Sequence, residues 1–318
     1  MEPYRNYRPR AQWEIANCLF AKQDYKGAMQ AYRTTKEKFP FQSWCGNEKA
    51  EYEYRYEFYE GLCLDHLGQT IDALKHYYRA AFNTRMFYSE PEVHFRFVGI
   101  YDEAGQSDKL GKLLDSIDAD LLARFKKQAA EENLKVDEES LRKVRPTGMM
   151  RRILELQSFA QQARRSELIK LLKIQSQVTG PPDDNGNWEA IEASRLLALT
   201  PKESVPELLA AAERTPDPDV RWVAYALGRC GGSEALAWLK ERASKEENSW
   251  ALASYCYALT QAGAPGRAIV DRLDLRGLRR ESVSGPVPEA QSLRSRFPKS
   301  ENVRLPDNLA ELQLAATP

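Results

Sequence analysis

Tyr59-Glu60-Gly61-Leu62-Cys63-Leu64, continued by Leu67-Gly68, Ala73 and Tyr77, is the stretch whose reading decides the fold. Apolar and small residues recur three and four apart on both sides of Leu67-Gly68, the spacing of one helix face, and a glycine turn separates the two runs. The spacing predicts two helices packed at close range, with small residues permitting the approach and Tyr77 filling the groove between them. A weaker copy precedes it. Trp13, Ile15, Ala16, Leu19 and Phe20 form a first helix, a turn spans Lys22 to Asp24, and Ala28, Tyr32 and Thr35 form a second helix that stops at Phe39-Pro40. A third copy runs from Glu90 to about Ile117, with Phe97, Val98 and Tyr101 before Ala104-Gly105 and with Leu110, Leu114 and Ile117 after it. Leu110 stands there where the earlier copies have alanine, which predicts looser or shifted packing.

The three copies, roughly Arg8 to Asp118, resemble tetratricopeptide repeats. Ala28 to Ala73 is 45 residues, against a usual period of about 34. The excess falls in Phe41 to Tyr52, where an inter-repeat loop or a lengthened helix is expected. Gly68 to Gly105 is 37 residues, close to the family period.

From Ala119 to about Val178 the sequence stays helical without that signature and reads as a connector, with a loop at Val136 to Glu139 and a breaker at Pro146-Thr147-Gly148. Gly180 to Asn187 is the strongest internal breaker. A different repeat follows it. Ala198-Leu199, Ala226-Leu227 and Ala258-Leu259 recur at spacings of 28 and 32 residues. The middle unit, Asp217 to Gly228, resembles the short HEAT-type repeat of phycobilin lyase-like proteins over about Gly186 to Leu275. Its aspartate before the helix is expected to cap free amides, and the resemblance gives Arg221 a role in polar contacts between repeats. Beyond Gly277 the chain is rich in proline, serine and charge, and reads as an irregular tail with a short helix at Leu309 to Leu314. The expected architecture is all-α, an α-α superhelix of two helical-hairpin arrays (1–118 and 180–276) joined by a connector (119–179) and followed by a tail (277–318).

Lysine plus arginine and aspartate plus glutamate number 46 each, so the formal charge is zero and nucleic acid is not favoured as a partner. No apolar run approaches the roughly 18 residues needed to span a bilayer, and no membrane association is expected. Met1 to Arg10 lacks an apolar signal core. The five cysteines are widely spaced with no CxxC pair, which reads as reduced thiols in the cytoplasm. No phosphate loop, HExxH or zinc-spaced cysteine set occurs, and no cofactor or metal is expected. His66, His76 and His94 read as ordinary inter-helix or surface residues. Glu57, Glu60, Asp65 and Asp72 read as solvated helix faces. Asp183 to Asn187 lacks the register of a calcium loop.

Trp13, Phe58 and Phe95 each stand three residues before the central small position of their unit. Two readings stand for them: ordinary core filling, or a stripe facing a partner in the concave groove that the tetratricopeptide resemblance implies. On the second reading the binding set is Trp13, Asn17, Arg55, Phe58, Leu62 and Phe95, with Arg10 at its edge, and the guest is an apolar or amphipathic protein segment. The family's clamp for a C-terminal carboxylate uses lysine where Trp13 stands, which points away from that kind of capture. In the second array, an exposed pair among Trp188, Trp222, Trp238 and Trp250 would mark an interface, and Arg276, Arg279 and Arg280 form a small basic cluster. The function expected is a non-enzymatic interaction scaffold. The alternative is a subunit of a larger enzymatic or defence-type assembly. The resemblance of the second array alone would imply a lyase handling a tetrapyrrole.

Overall fold

A computed structural model describes residues 7–42, 46–82, 91–133, 146–173, 188–216, 219–275, 297–300 and 303–314. The loop at Val136 to Glu139, the breaker at Gly180 to Asn187, Cys45, Asp217-Pro218, the three arginines at 276, 279 and 280, and the stretch from Ser282 to Pro288 lie outside them. Among the described residues the chain is all-α, and its helices pair as hairpin repeats. None of these helices is long and apolar enough to cross a membrane. The chain divides into two compact units, residues 1–153 with 294–318, and residues 154–293.

The first unit contains α1 (Tyr7–Ala21), α2 (Tyr25–Lys38), α3 (Gly46–His66), α4 (Thr70–Phe82), α5 (Pro91–Glu103) and α6 (Ser107–Glu131), each packed on the next. The extra length between the first two repeats is absorbed largely by α3, which runs for 21 residues. Helix α3 packs on both α2 and α4. Glu57 on α3 lies 3.2 Å from Lys36 Nζ, 3.3 Å from Arg79 Nη1 and 2.9 Å from His76 Nδ1, and Arg33 donates to Glu60 at 2.9 Å. Gly61 is needed where α4 approaches, because a Cβ there would meet the Tyr77 ring at 2.8 Å. Leu110 is fully buried, so the third hairpin has its own core position despite the larger side chain.

One turn recurs through the hairpins. A residue with positive φ sits at Gln23, Gly68, Gly105 and Ala163, and the amide after it donates five residues back: Asp24 to Leu19, Gln69 to Leu64, Gln106 to Tyr101, Arg164 to Phe159. This is the left-handed C-terminal closure that satisfies carbonyls at a helix end. The last case joins α7 (Gly148–Gln161) to α8 (Arg165–Ile169), so the stretch expected to be a plain connector contains a helix end closed by the same turn. The boundary between the units falls within α7, between Ile153 and Leu154.

The second unit continues with α9 (Trp188–Leu197), α10 (Pro201–Ala212), α11 (Val220–Cys230), α12 (Gly232–Lys245), α13 (Ser249–Gln261) and α14 (Ala264–Val270) around one apolar core. The alanine–leucine register expected from sequence fails in its first copy. Helix α9 ends at Leu197, ahead of Pro201, leaving Leu199 63% exposed. The fully buried alanines lying three or four residues before a helix end are Ala193, Ala226 and Ala258, at spacings of 33 and 32 residues. The true repeat is therefore more regular than the apparent one. Glu192, Tyr225 and Tyr257 occupy one equivalent row, and the two tyrosine rings stack with centroids 5.8 Å apart. Asp219 stands at the N-cap of α11 without a capping side-chain hydrogen bond to the helix. Asn248 does cap α13, accepting from the Trp250 and Ala251 amides at 2.9 and 3.2 Å.

A candidate interaction surface built around Arg96

The residues expected to face a partner lie elsewhere. Trp13 is 8% exposed and packs against Tyr32, Tyr56 and Tyr59 with ring centroids 4.7 to 5.6 Å away. Phe58 sits among Tyr54, Tyr59 and Tyr77, Leu62 is fully buried, and Phe95 is buried on α5. These four side chains are core in this structure, and the solvent-facing stripe is corrected accordingly. Around Trp13 the position that a groove reading assigns to a ligand is filled by tyrosines of α2 and α3, and around Phe58 by tyrosines of α3 and α4. Asn17 is half-buried and accepts from Tyr32 Oη at 2.8 Å, so it positions a core phenol. Arg55 pairs with Glu51 on its own helix at 2.6 Å, and Arg10 is exposed.

The carboxylates need a similar correction. Glu60 and Asp65 are buried rather than solvated, whereas Asp72 is exposed. Asp65 accepts from Tyr77 Oη at 3.1 Å and from both Nε and Nη2 of Arg96. Arg96 Nη1 also donates to both oxygens of Glu103 at 3.1 Å. A buried guanidinium paired in this way stays charged. Burial alone would favour its neutral form, but the hydrogen bond and charge of Asp65, with Glu103, raise its pKa instead.

Arg96 then reaches the far end of the chain. Its Nη2 donates to the Pro298 carbonyl at 2.7 Å and to Ser300 Oγ at 2.9 Å, while the Ser300 amide donates to Glu103 at 2.9 Å. Gln106, two residues before Asp108 in the first turn of α6, donates its side-chain amide to the Val303 carbonyl and accepts from the Leu305 amide at 3.2 Å. Tyr101 donates to the Pro306 carbonyl at 2.8 Å and Lys109 to the Leu305 carbonyl at 3.4 Å. Burial pushes the Tyr101 phenol up, with the charges of Asp307 and Glu311 adding to the effect, so it remains a donor. The segment then forms α15 (Leu309–Leu314), whose first amide donates to Ser116 Oγ at 3.0 Å and which packs on α4 and α6. Leu305, Pro306, Leu309 and Leu312 are buried, while Arg304, Ala310, Glu311 and Gln313 are exposed.

The short helix at Leu309 to Leu314 was legible in the sequence; its seat was not. Arg96 carried a signal in being a lone cation within the apolar run Val93 to Tyr101. A charge at such a position needs a buried partner, and Asp65 supplies it.

In the second unit, Trp222 is buried, Trp188 and Trp238 are partly buried against the core, and Trp250 is 60% exposed at the start of α13. The exposed pair that would mark an interface reduces to this one tryptophan. His66 stacks on Tyr25 at 4.2 Å, and His94 is buried on α5, its pKa lowered to about 4 by burial. On the outer side of α1 an open cavity of about 310 Å³ is lined by Ala11, Glu14, Ile15, Cys18, Leu19 and Lys22.

Residues 165–260 match a family model described as HEAT repeats. The match begins at α8, some twenty residues before the start expected from sequence, and ends within α13. This segment carries HEAT-type repeats. No curated protein matches the chain, and no solved structure does.

Proposed function

We propose that this chain is a non-enzymatic scaffold that binds other proteins, with tetratricopeptide-type hairpins in the first unit and HEAT-type repeats in the second. The observation that carries the reading is the HEAT-repeat match over 165–260, joined to the regular stacking of α9 to α14. Repeats of this kind present an extended surface whose side chains are free to vary while the core positions stay small and apolar. Trp250, 60% exposed on a helix fixed by the Asn248 cap, is the strongest apolar anchor on that surface. Tryptophan is among the residues that dominate binding energy when covered by a partner.

A photoactivatable cross-linker at position 250 tests the reading. A single identified protein should be captured, and the purified pair should bind with an affinity reduced at least tenfold by Trp250→Ala. Unchanged affinity in a folded Trp250→Ala chain would remove this surface from the reading. If the captured protein is an enzyme whose rate changes on binding, the chain is a regulatory subunit.

A further inference from the structure

Residues 297–300 and 303–314 are held in an unusual manner. Helices in a repeat array meet through side chains on both sides. Here the first unit's side chains address the backbone of the segment, at the carbonyls of Pro298, Val303, Leu305 and Pro306 and at the amides of Ser300, Leu305 and Leu309. Gln106 grips Val303 and Leu305 as a neighbouring strand would, with one donor and one acceptor two residues apart on the same edge. Apart from the Arg96 hydrogen bond to Ser300 Oγ, such contacts do not depend on guest side chains. Selectivity is left to the prolines, which keep the guest extended, and to three buried leucines, Leu305, Leu309 and Leu312. Six residues are too few for a stable helix alone, so α15 owes its form to the seat.

We propose that this seat, centred on Arg96 and Gln106, is a peptide-recognition surface. Its partner is a protein segment with the tail's own pattern, an extended Pro-containing stretch leading into one helical turn with leucines three apart. The chain's own tail is the resting occupant. The inference rests on the interaction reading above and goes beyond it by naming a second surface, its partner chemistry and its internal competitor. A covalently attached guest competes at an effective concentration on the order of millimolar. A partner therefore binds weakly until its own segment, or a second contact elsewhere, outweighs the tail.

The probe is a synthetic peptide of residues 297–314, labelled with a fluorophore, titrated into the full chain. Saturable binding is expected. Leu309→Asp with Leu312→Asp in the full chain, which loosens the tail, should tighten it at least tenfold, and adding Gln106→Ala to that loosened chain should weaken it at least tenfold. No saturable binding to the folded, loosened chain overturns the proposal, as does equal binding once Gln106→Ala is added to it. Should the loosened variant fail to fold, hydrogen exchange on the wild-type chain decides. An excess of peptide bearing heavy leucine should deprotect the chain's own amides at 305–312, and unchanged protection overturns the proposal. Concentration-dependent dimers exchanging tails, without peptide binding, would assign the seat to a second copy and overturn the partner reading. Peptide binding with no capture at position 250, or the reverse, separates failure here from failure of the second-unit surface.

Discussion

Glu57 shows how a residue that looks like surface charge becomes part of the structure. Burial raises the cost of its charge, but the hydrogen bond from His76 and the charges of His76, Lys36 and Arg79 outweigh that cost and bring its pKa from 4.5 down to about 2. A depressed carboxylate contributes stability that is complete above its unfolded pKa and is lost as pH falls through the folded value. The first unit should therefore weaken between about pH 4.5 and pH 2, by up to about 3 kcal/mol from this group. Urea midpoints measured at pH 5 and pH 3 check it. Glu57→Gln should flatten the difference, and an unchanged slope would show that the network around α3 contributes nothing. Asp65 and Arg96 belong to the same class of residue, since each is buried against the other, with Tyr77 donating to Asp65 and Glu103 accepting from Arg96.

At the scale of elements, the recurring turn links sequence to packing. Gly68 and Gly105 take the left-handed conformation without a Cβ to strain, while Gln23 and Ala163 take it with one. A side chain there costs about 1–2 kcal/mol, partly offset by the greater freedom glycine has in the unfolded chain. Gln23→Gly and Ala163→Gly should each stabilise the protein by about 0.5–1 kcal/mol, read as a rise in denaturation midpoint. A fall would mean that the side chains at 23 and 163 make contacts that outweigh the strain. Tight helix approach is equally local. A Cβ at Gly228 would collide with the carbonyl of Ala258, so α11 and α13 meet backbone to backbone at that point.

Across the whole molecule, the first unit is completed from the far end of the sequence. Ending the chain after residue 296 removes Leu305, Leu309 and Leu312 from their seat, each worth about 1.5–3 kcal/mol when buried. It also bares the Arg96 cluster. Hydrogen exchange should then rise in α5 and α6 while α9 to α14 keep their protection. Loss of protection throughout would show that the second unit also depends on the tail.

Helix content, the hairpin pairing and the turns at Gly68 and Gly105 were determined by the sequence alone, because periodicity and glycine placement are local properties. The short helix at the end of the chain was legible for the same reason. The register of the second array misled, since Ala198-Leu199 copies the composition of Ala226-Leu227 but falls beyond the end of α9. What only the tertiary structure decided was which side of each helix is covered. Trp13 and Phe58 have the spacing of either a groove or a core, and the tyrosines of α2, α3 and α4 make it a core. The seat of residues 303–314 likewise depends on side chains about two hundred positions away. Local patterning carries no information about contacts at that separation, because burial is set by whatever the rest of the chain brings alongside.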